Sequence, residues 1–170
     1  MEETWHNDEV QTAELPLVEE VSFQKHPVRY MTYRRLLATI FWSFPIIGLA
    51  IPAILSPGIW LAYAGGGLAV LILLTFISIP IGYRKRSYAL RERDLTYKKG
   101  WIFSSMITIP FNRIQHTEIS RGPIERKYEL STLKIYTAGG ATSDLSIPGL
   151  EAEEAEQLKE FVAKKAAIYE

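Results

Sequence analysis

Polar and apolar positions divide the chain into three regimes. Between residues 36 and 83 there is no Asp, Glu, Lys or Arg, although the chain carries 19 acidic and 19 basic side chains. This stretch reads as two apolar runs, 36–55 and 59–83, joined by the turn signal Ser56-Pro57-Gly58. At about 1.5 Å per residue the first run spans about 30 Å as a helix, the thickness of a bilayer's hydrocarbon core, and the second can cross with some tilt. A core helix of a soluble protein keeps a polar face, and neither run has one. The pattern therefore predicts two transmembrane helices. A signal peptide fits poorly, because a second apolar run follows the first closely.

After residue 87 the period changes to two. Leu95 and Tyr97 lead into Lys98-Lys99-Gly100, a strand entering a turn. Residues 101–109, rich in aromatic and branched side chains, read as the next strand, broken by Pro110-Phe111-Asn112. Residues 114–119 read as a short strand and Arg121-Gly122-Pro123 as a break. In 132–137, Leu133, Ile135 and Thr137 share one face, and Thr132, Lys134 and Tyr136 the other. Gly139-Gly140 turns the chain, 145–147 returns, and Pro148-Gly149 is expected to end the sheet. The short separations require antiparallel pairing. Residues 151–167 then read as one helix, with Ala155, Leu158, Phe161, Val162 and Ala166 on one stripe. Glu151, Glu153, Glu154 and Glu156 at its start and Lys164-Lys165 near its end suit the helix dipole.

Pro45, Pro52 and Pro80 lie inside the apolar runs, where neighbouring helices satisfy the freed carbonyls; they predict kinks. Gly65-Gly66-Gly67 permits close helix approach, as packing within the hairpin or as an oligomer seam.

Charge adds orientation. Arg34-Arg35 precedes the first run, Arg84-Lys85-Arg86 follows the second, and the connecting turn is uncharged. By the positive-inside rule both ends of the hairpin, and both termini, are expected in the cytoplasm of a multi-pass cell-membrane protein. Residues 1–20 hold seven acidic side chains and no Lys or Arg, the composition of a mobile acidic tail. Residues 21–35 are basic and aromatic, as in a juxtamembrane segment lying at lipid headgroups. The expected organisation is thus 1–20 tail, 21–35 juxtamembrane segment, 36–83 membrane hairpin and 84–170 cytoplasmic domain.

Chemistry is sparse. There is no cysteine, so no disulfide framework or cysteine nucleophile. No phosphate loop, dinucleotide fingerprint, zinc helix or nucleophile elbow occurs. His6 and His26 have no ligand partners at metal spacing. His116, Glu118 and Asp144 are imaginable as an acid/base group, but nothing brings a nucleophile or substrate pocket to them. The sequence predicts no enzyme, cofactor, metal or nucleic-acid partner.

The segment Ile109-Pro110-Phe111-Asn112-Arg113-Ile114-Gln115-His116 carries an "IP-x-x-RIQ-x" signature. Ser120-Arg121-Gly122-Pro123-Ile124-Glu125-Arg126 carries "S-x-GP-x-ER", and residues 130–140 carry "L-x-TL-x-(V/I)-x-TAGG". Together they resemble the bacterial pleckstrin-homology-like membrane proteins, the YdbS-like family with a bPH2 (DUF304) domain. The resemblance covers about residues 30–166. It implies an α+β membrane protein: a two-helix transmembrane hairpin followed by a PH-like antiparallel β-barrel or sandwich of seven strands, capped by a C-terminal helix.

Two residue groups are candidates for function. Arg84, Lys85, Arg86, Arg91, Arg93, Lys98 and Lys99, against only Glu92 and Asp94, form a basic cluster near a membrane span, with topology setting as the plainer role. The motif residues Arg113, Gln115, Arg121, Gly122, Pro123, Glu125 and Arg126, with Tyr128, form either a structural network or a partner surface. The expected function is a membrane-anchored, non-catalytic interaction or scaffold module. Its partners are the lipid bilayer and either copies of itself or a membrane protein. The alternatives are an anionic-lipid-binding module and an accessory subunit of a transport or defence system. Uncharged spans argue against a transport path of its own.

Overall fold

The structure is a computed structural model describing residues 22–55, 58–138 and 143–168. The acidic tail and the Gly139-Gly140 turn lie outside these residues.

Helix α1 (Val28–Leu55) continues through Pro45 and Pro52, and α2 (Ile59–Arg84) through Pro80. The two pack side by side. A Cβ on Gly65 would lie 3.8 Å from Leu49, whereas Gly66 and Gly67 have nothing within 4 Å. Gly65 is thus the member of the triplet that faces α1, at a spacing where a Cβ would make ordinary van der Waals contact. Phe41, Phe44, Ile54, Val70 and Leu73 are among the large apolar side chains left uncovered along both helices. Lipid is the solvent that suits such surfaces. Helix α1 starts well before the charge-free run, so Arg29 to Arg35 form its first turns.

Among the described residues, seven strands follow an unexpected chain order. Beside β2 (Ser87–Leu90), β3 (Asp94–Lys99) and β4 (Ser105–Pro110), the first sheet contains β1 (Gln24–Lys25). Its order is β1-β2-β3-β4, all antiparallel. The sheet domain thus takes its outermost strand from the segment ahead of the membrane helices. The second sheet, β5 (Ile114–Ser120), β6 (Leu130–Thr137) and β7 (Leu145–Glu151), has order β5-β6-β7. A 3-10 turn (Phe111–Arg113) links the sheets, α3 (Pro123–Lys127) links β5 to β6, and α4 (Ala152–Ile168) closes the chain.

Tyr88, Leu95, Tyr97 and Ile109 from the first sheet meet Leu133, Ile135, Leu145 and Ile147 from the second in one core. Ala155, Leu158 and Val162 of α4 are buried in it, and Phe161 sits half-exposed, edge-on to the buried Phe111 ring at 6.1 Å.

Two local expectations differ. Residues 101–104 are not strand, because Gly100 (φ +115) turns the chain back so tightly that a Cβ there would lie 1.9 Å from the Phe103 carbonyl oxygen. Pro148-Gly149 does not end the sheet. Pro148 pairs with Thr132 on the edge strand β7, where a missing N–H is tolerated, and a register shift follows at Ser131/Thr132.

Strand register fixes which end of each sheet faces the helices. β1 runs into α1 and β2 emerges from α2, so the Lys25↔Ser87 pair marks the helix-proximal edge. Lys98 sits opposite Ser87, and Lys99 opposite Ser105. Leu90, Leu95 and Pro110 mark the distal edge. In the second sheet, Glu129 meets Arg29 of α1 and Tyr128 packs on Tyr33, so the start of β6 is proximal.

Candidate functional site

A set of polar and aromatic side chains meets at the seam between helices and sheets. His26 is 3% exposed, between the rings of Tyr30, Tyr88 and Tyr97 at centroid distances of 5.4, 6.3 and 6.0 Å. Its backbone carbonyl accepts a 2.7 Å hydrogen bond from the Tyr83 hydroxyl of α2. Arg86 donates to the Tyr30 hydroxyl at 2.9 Å, its guanidinium 5.7 Å from that ring's centroid. The Tyr88 hydroxyl donates to Glu154 of α4 and lies 2.6 Å from the Gln24 side chain. Gly149 (φ +78) gives Tyr30 its place, since a Cβ there would lie 2.1 Å from the ring.

Burial, assisted by the Arg86 charge, lowers the His26 pKa to about 4. The Gly149 backbone opposes the shift, yet neither ring nitrogen closes a hydrogen bond of good geometry. Burial and the Glu154 carboxylate push the Tyr88 phenol up, and burial does the same for Tyr97. Neutral imidazole and neutral phenols are the stable forms in this seam, which suits packing more than proton transfer.

The basic cluster is divided by this geometry. Arg84, Lys85, Lys98 and Lys99 are exposed at the helix-proximal edge. Arg86 turns inward to Tyr30. Arg91 and Arg93 lie at the distal edge, past a four-residue strand worth about 13 Å at about 3.3 Å per residue. Arg91 also lies 3.9 Å from Asp94.

The motif group is divided as well. Gly122-Pro123 starts α3 with proline in its first turn, and Glu125 reaches back to accept from the Gly122 N–H at 2.7 Å and from the Thr132 hydroxyl at 3.0 Å. Arg121 donates to the Ala152 carbonyl at 3.4 Å and lies 3.7 Å from Glu156, tying β5's end to α4. These residues build the proximal end. Arg126 is exposed there, and Tyr128 packs edge-on to Tyr33 at 6.2 Å. Arg113 and Gln115 sit at the distal end, in a notch of about 500 Å³ with Asn112, Thr137 and Ala166.

His116 and Glu118 both meet Tyr136, while Asp144 is held separately at Thr137. His116 stacks on Tyr136 at 4.2 Å, and Glu118 accepts from Tyr136 and Lys134 at 2.8 and 3.3 Å. Those bonds hold its carboxyl below the usual range. Asp144 accepts from the Thr137 hydroxyl and N–H at 2.6 and 2.8 Å, which lowers its pKa too. Among the described residues no group of three His, Cys, Asp or Glu is placed to hold a metal ion.

The seam itself escaped sequence reasoning. Its one visible signal was the clustering of His26, Tyr30 and Tyr33 ahead of the first span, which also suits a headgroup segment.

A family model described as "Bacterial PH domain" matches residues 34–166, including both membrane helices. The chain belongs to the bacterial PH domain family. This family is generally non-catalytic, and the fold of the protein is a transmembrane hairpin plus a PH-like domain. Two relatives from Bacillus subtilis (strain 168) carry transmembrane names. This bacterial PH protein is 32% identical over 97 residues to UPF0699 transmembrane protein YdbS, covering 57% of this chain and 59% of that one. It is 29% identical over 106 residues to UPF0699 transmembrane protein YdbT, covering 62% of this chain and 22% of that one. The matches thus span about three fifths and one fifth of those relatives' lengths. A crystal structure of a DUF1696 family protein with a pleckstrin-homology domain from Shewanella loihica aligns with TM-score 0.39 and 15% identity, over 49% of this chain and 73% of that one.

Proposed function

We propose that this bacterial PH domain protein is a membrane-anchored, non-catalytic interaction module. In this reading the membrane hairpin and the PH-like domain move as one body, on the cytoplasmic face to which the basic flanks point. The observation that carries it is the seam, where β1 pairing, Tyr83–His26 and Arg86–Tyr30 tie the domain to both helices. A freely tethered domain needs no such ties; a module that holds a partner in fixed relation to the membrane, or passes a displacement across it, does. The distal notch around Arg113 and Gln115 is the surface such a partner meets. The partner is another copy of the chain or a second membrane protein, as for an accessory subunit of a larger system.

The test is photo-crosslinking in cells of the full chain, with a photoreactive residue at position 113 or 115 and a control at exposed Lys164. A discrete adduct from the distal notch and none from the control supports the reading. No adduct at 113 or 115 sinks it.

A second reading, contact with anionic lipid, is favoured by Arg84, Lys85, Lys98 and Lys99 sharing the proximal edge. Each such cation near an anionic leaflet contributes roughly 1 kcal/mol.

A further inference from the structure

The β3–β4 hairpin ends in Trp101-Ile102-Phe103, which are 43%, 72% and 88% exposed. Three consecutive large apolar side chains at a loop tip are unusual on a water-facing surface, where turns are polar. They are held there by construction. Gly100 supplies the positive φ that closes the turn, and the β3–β4 register keeps the flanking strands paired up to Lys99↔Ser105. The tip is therefore a structured projection of the sheet.

Its direction follows from the register. β1 leads into α1 and β2 comes from α2, so the edge at Lys25 and Ser87 faces the membrane hairpin. Lys98 is level with Ser87 in the same sheet. Residues 100–104 extend past that pair, in the direction of the helices. The apolar tip thus lies on the bilayer side of the domain. Lys98 and Lys99, both exposed, stand just behind it at the level of Lys25 and Ser87. An aromatic and aliphatic tip backed by lysines matches the layering of a membrane interface, with rings at the acyl boundary and ammonium groups at the phosphates. The distal hairpin turn between β2 and β3 has the opposite character, Arg91-Glu92-Arg93.

We infer that Trp101, Ile102 and Phe103 insert into the leaflet that contains the cytoplasm-flanking ends of α1 and α2, making the domain's third point of membrane attachment. The occupant of this apolar surface is the acyl–headgroup boundary of the protein's own bilayer. Insertion of the tip requires neither a protein partner nor anionic headgroups.

The chain has no native cysteine, so a single nitroxide can be placed by Phe103→Cys, with Glu92→Cys in the distal β2–β3 turn as the comparison. Both positions are exposed, and substitution there leaves the core untouched. The full chain is reconstituted in vesicles of neutral phosphatidylcholine, and separately with added phosphatidylglycerol. Collision with oxygen and with a water-soluble nickel chelate is then read by power saturation. Insertion predicts that the label at 103 meets oxygen more than nickel in both vesicle types, the reverse of the label at 92. Nickel access at 103 in neutral vesicles overturns the proposal, even if anionic lipid excludes nickel, since charge alone then accounts for the contact. Spin–spin broadening at 103 with both reagents excluded also overturns it, because a second copy then covers the tip.

Discussion

The Tyr83 hydroxyl, in the last turn of the second membrane helix, donates a 2.7 Å hydrogen bond to the carbonyl of His26, two residues ahead of the first. Together with Arg86–Tyr30 and the β1–β2 pairing, this bond joins the two ends of the hairpin at the point where the sheet domain begins. Removing it with Tyr83→Phe leaves a part-buried carbonyl unpaired and costs about 1 kcal/mol. Amide exchange in β1 should quicken by about fivefold, with exchange in β6 unchanged. Equal acceleration in both strands would mean that the bond supports the whole domain rather than the seam.

His26 gives the seam a pH dependence. Its pKa is about 4 when docked and ordinarily 6.5, so the undocked state takes up a proton first as pH falls. The docking contribution is complete above 6.5, is lost progressively from 6.5 toward 4, and declines no further below that. The total is at most roughly 3 kcal/mol, by the shift alone. Arg86 and the rings of Tyr30, Tyr88 and Tyr97 also face the imidazole. Histidine is the residue type among them whose ordinary titration falls in that window. Urea unfolding of the full chain in detergent at several pH values should show this loss, and His26→Leu should flatten it. Parallel curves for the two proteins would rule out His26 as the source.

Gly149→Ala places a methyl group into the Tyr30 ring and forces a side chain onto a positive φ. Overpacking and backbone strain together should cost about 2–4 kcal/mol, seen as a fall in Tm. Gly66→Ala, with open space around its Cβ position, is the matched control and should leave Tm nearly unchanged.

Glu125 and Arg113 separate structure from recognition within one motif set. Glu125→Ala removes the acceptor for Gly122 N–H and the Thr132 hydroxyl and should cost about 1–2 kcal/mol in urea unfolding. Arg113→Ala, at an exposed position, should cost less than about 0.5 kcal/mol while weakening any crosslink at the distal notch.

What the sequence revealed depended on how local each signal was. The membrane helices needed only a charge-free run, and α4 only its apolar stripe. The residues at 101–103 have strand-forming side chains, and their place at a turn was decided by the backbone of Gly100. β1 is two residues long and shows no alternation; its partner Tyr88 lies 64 positions away. His26 looked like a headgroup residue because burial is conferred by Tyr30, Tyr88 and Tyr97, which no spacing rule connects. The basic and motif groups were legible as residues, but their division between two ends of the domain follows from strand register alone.

The placement of β1 ahead of the hairpin also sets an order of events during synthesis. Gln24 and Lys25 emerge before either membrane helix, and their partners Tyr88 and Ser87 after both. The sheet edge can close only once the second helix has returned the chain to the side it left. Completion of the domain is in this way a record, written into the topology, that the hairpin was inserted correctly.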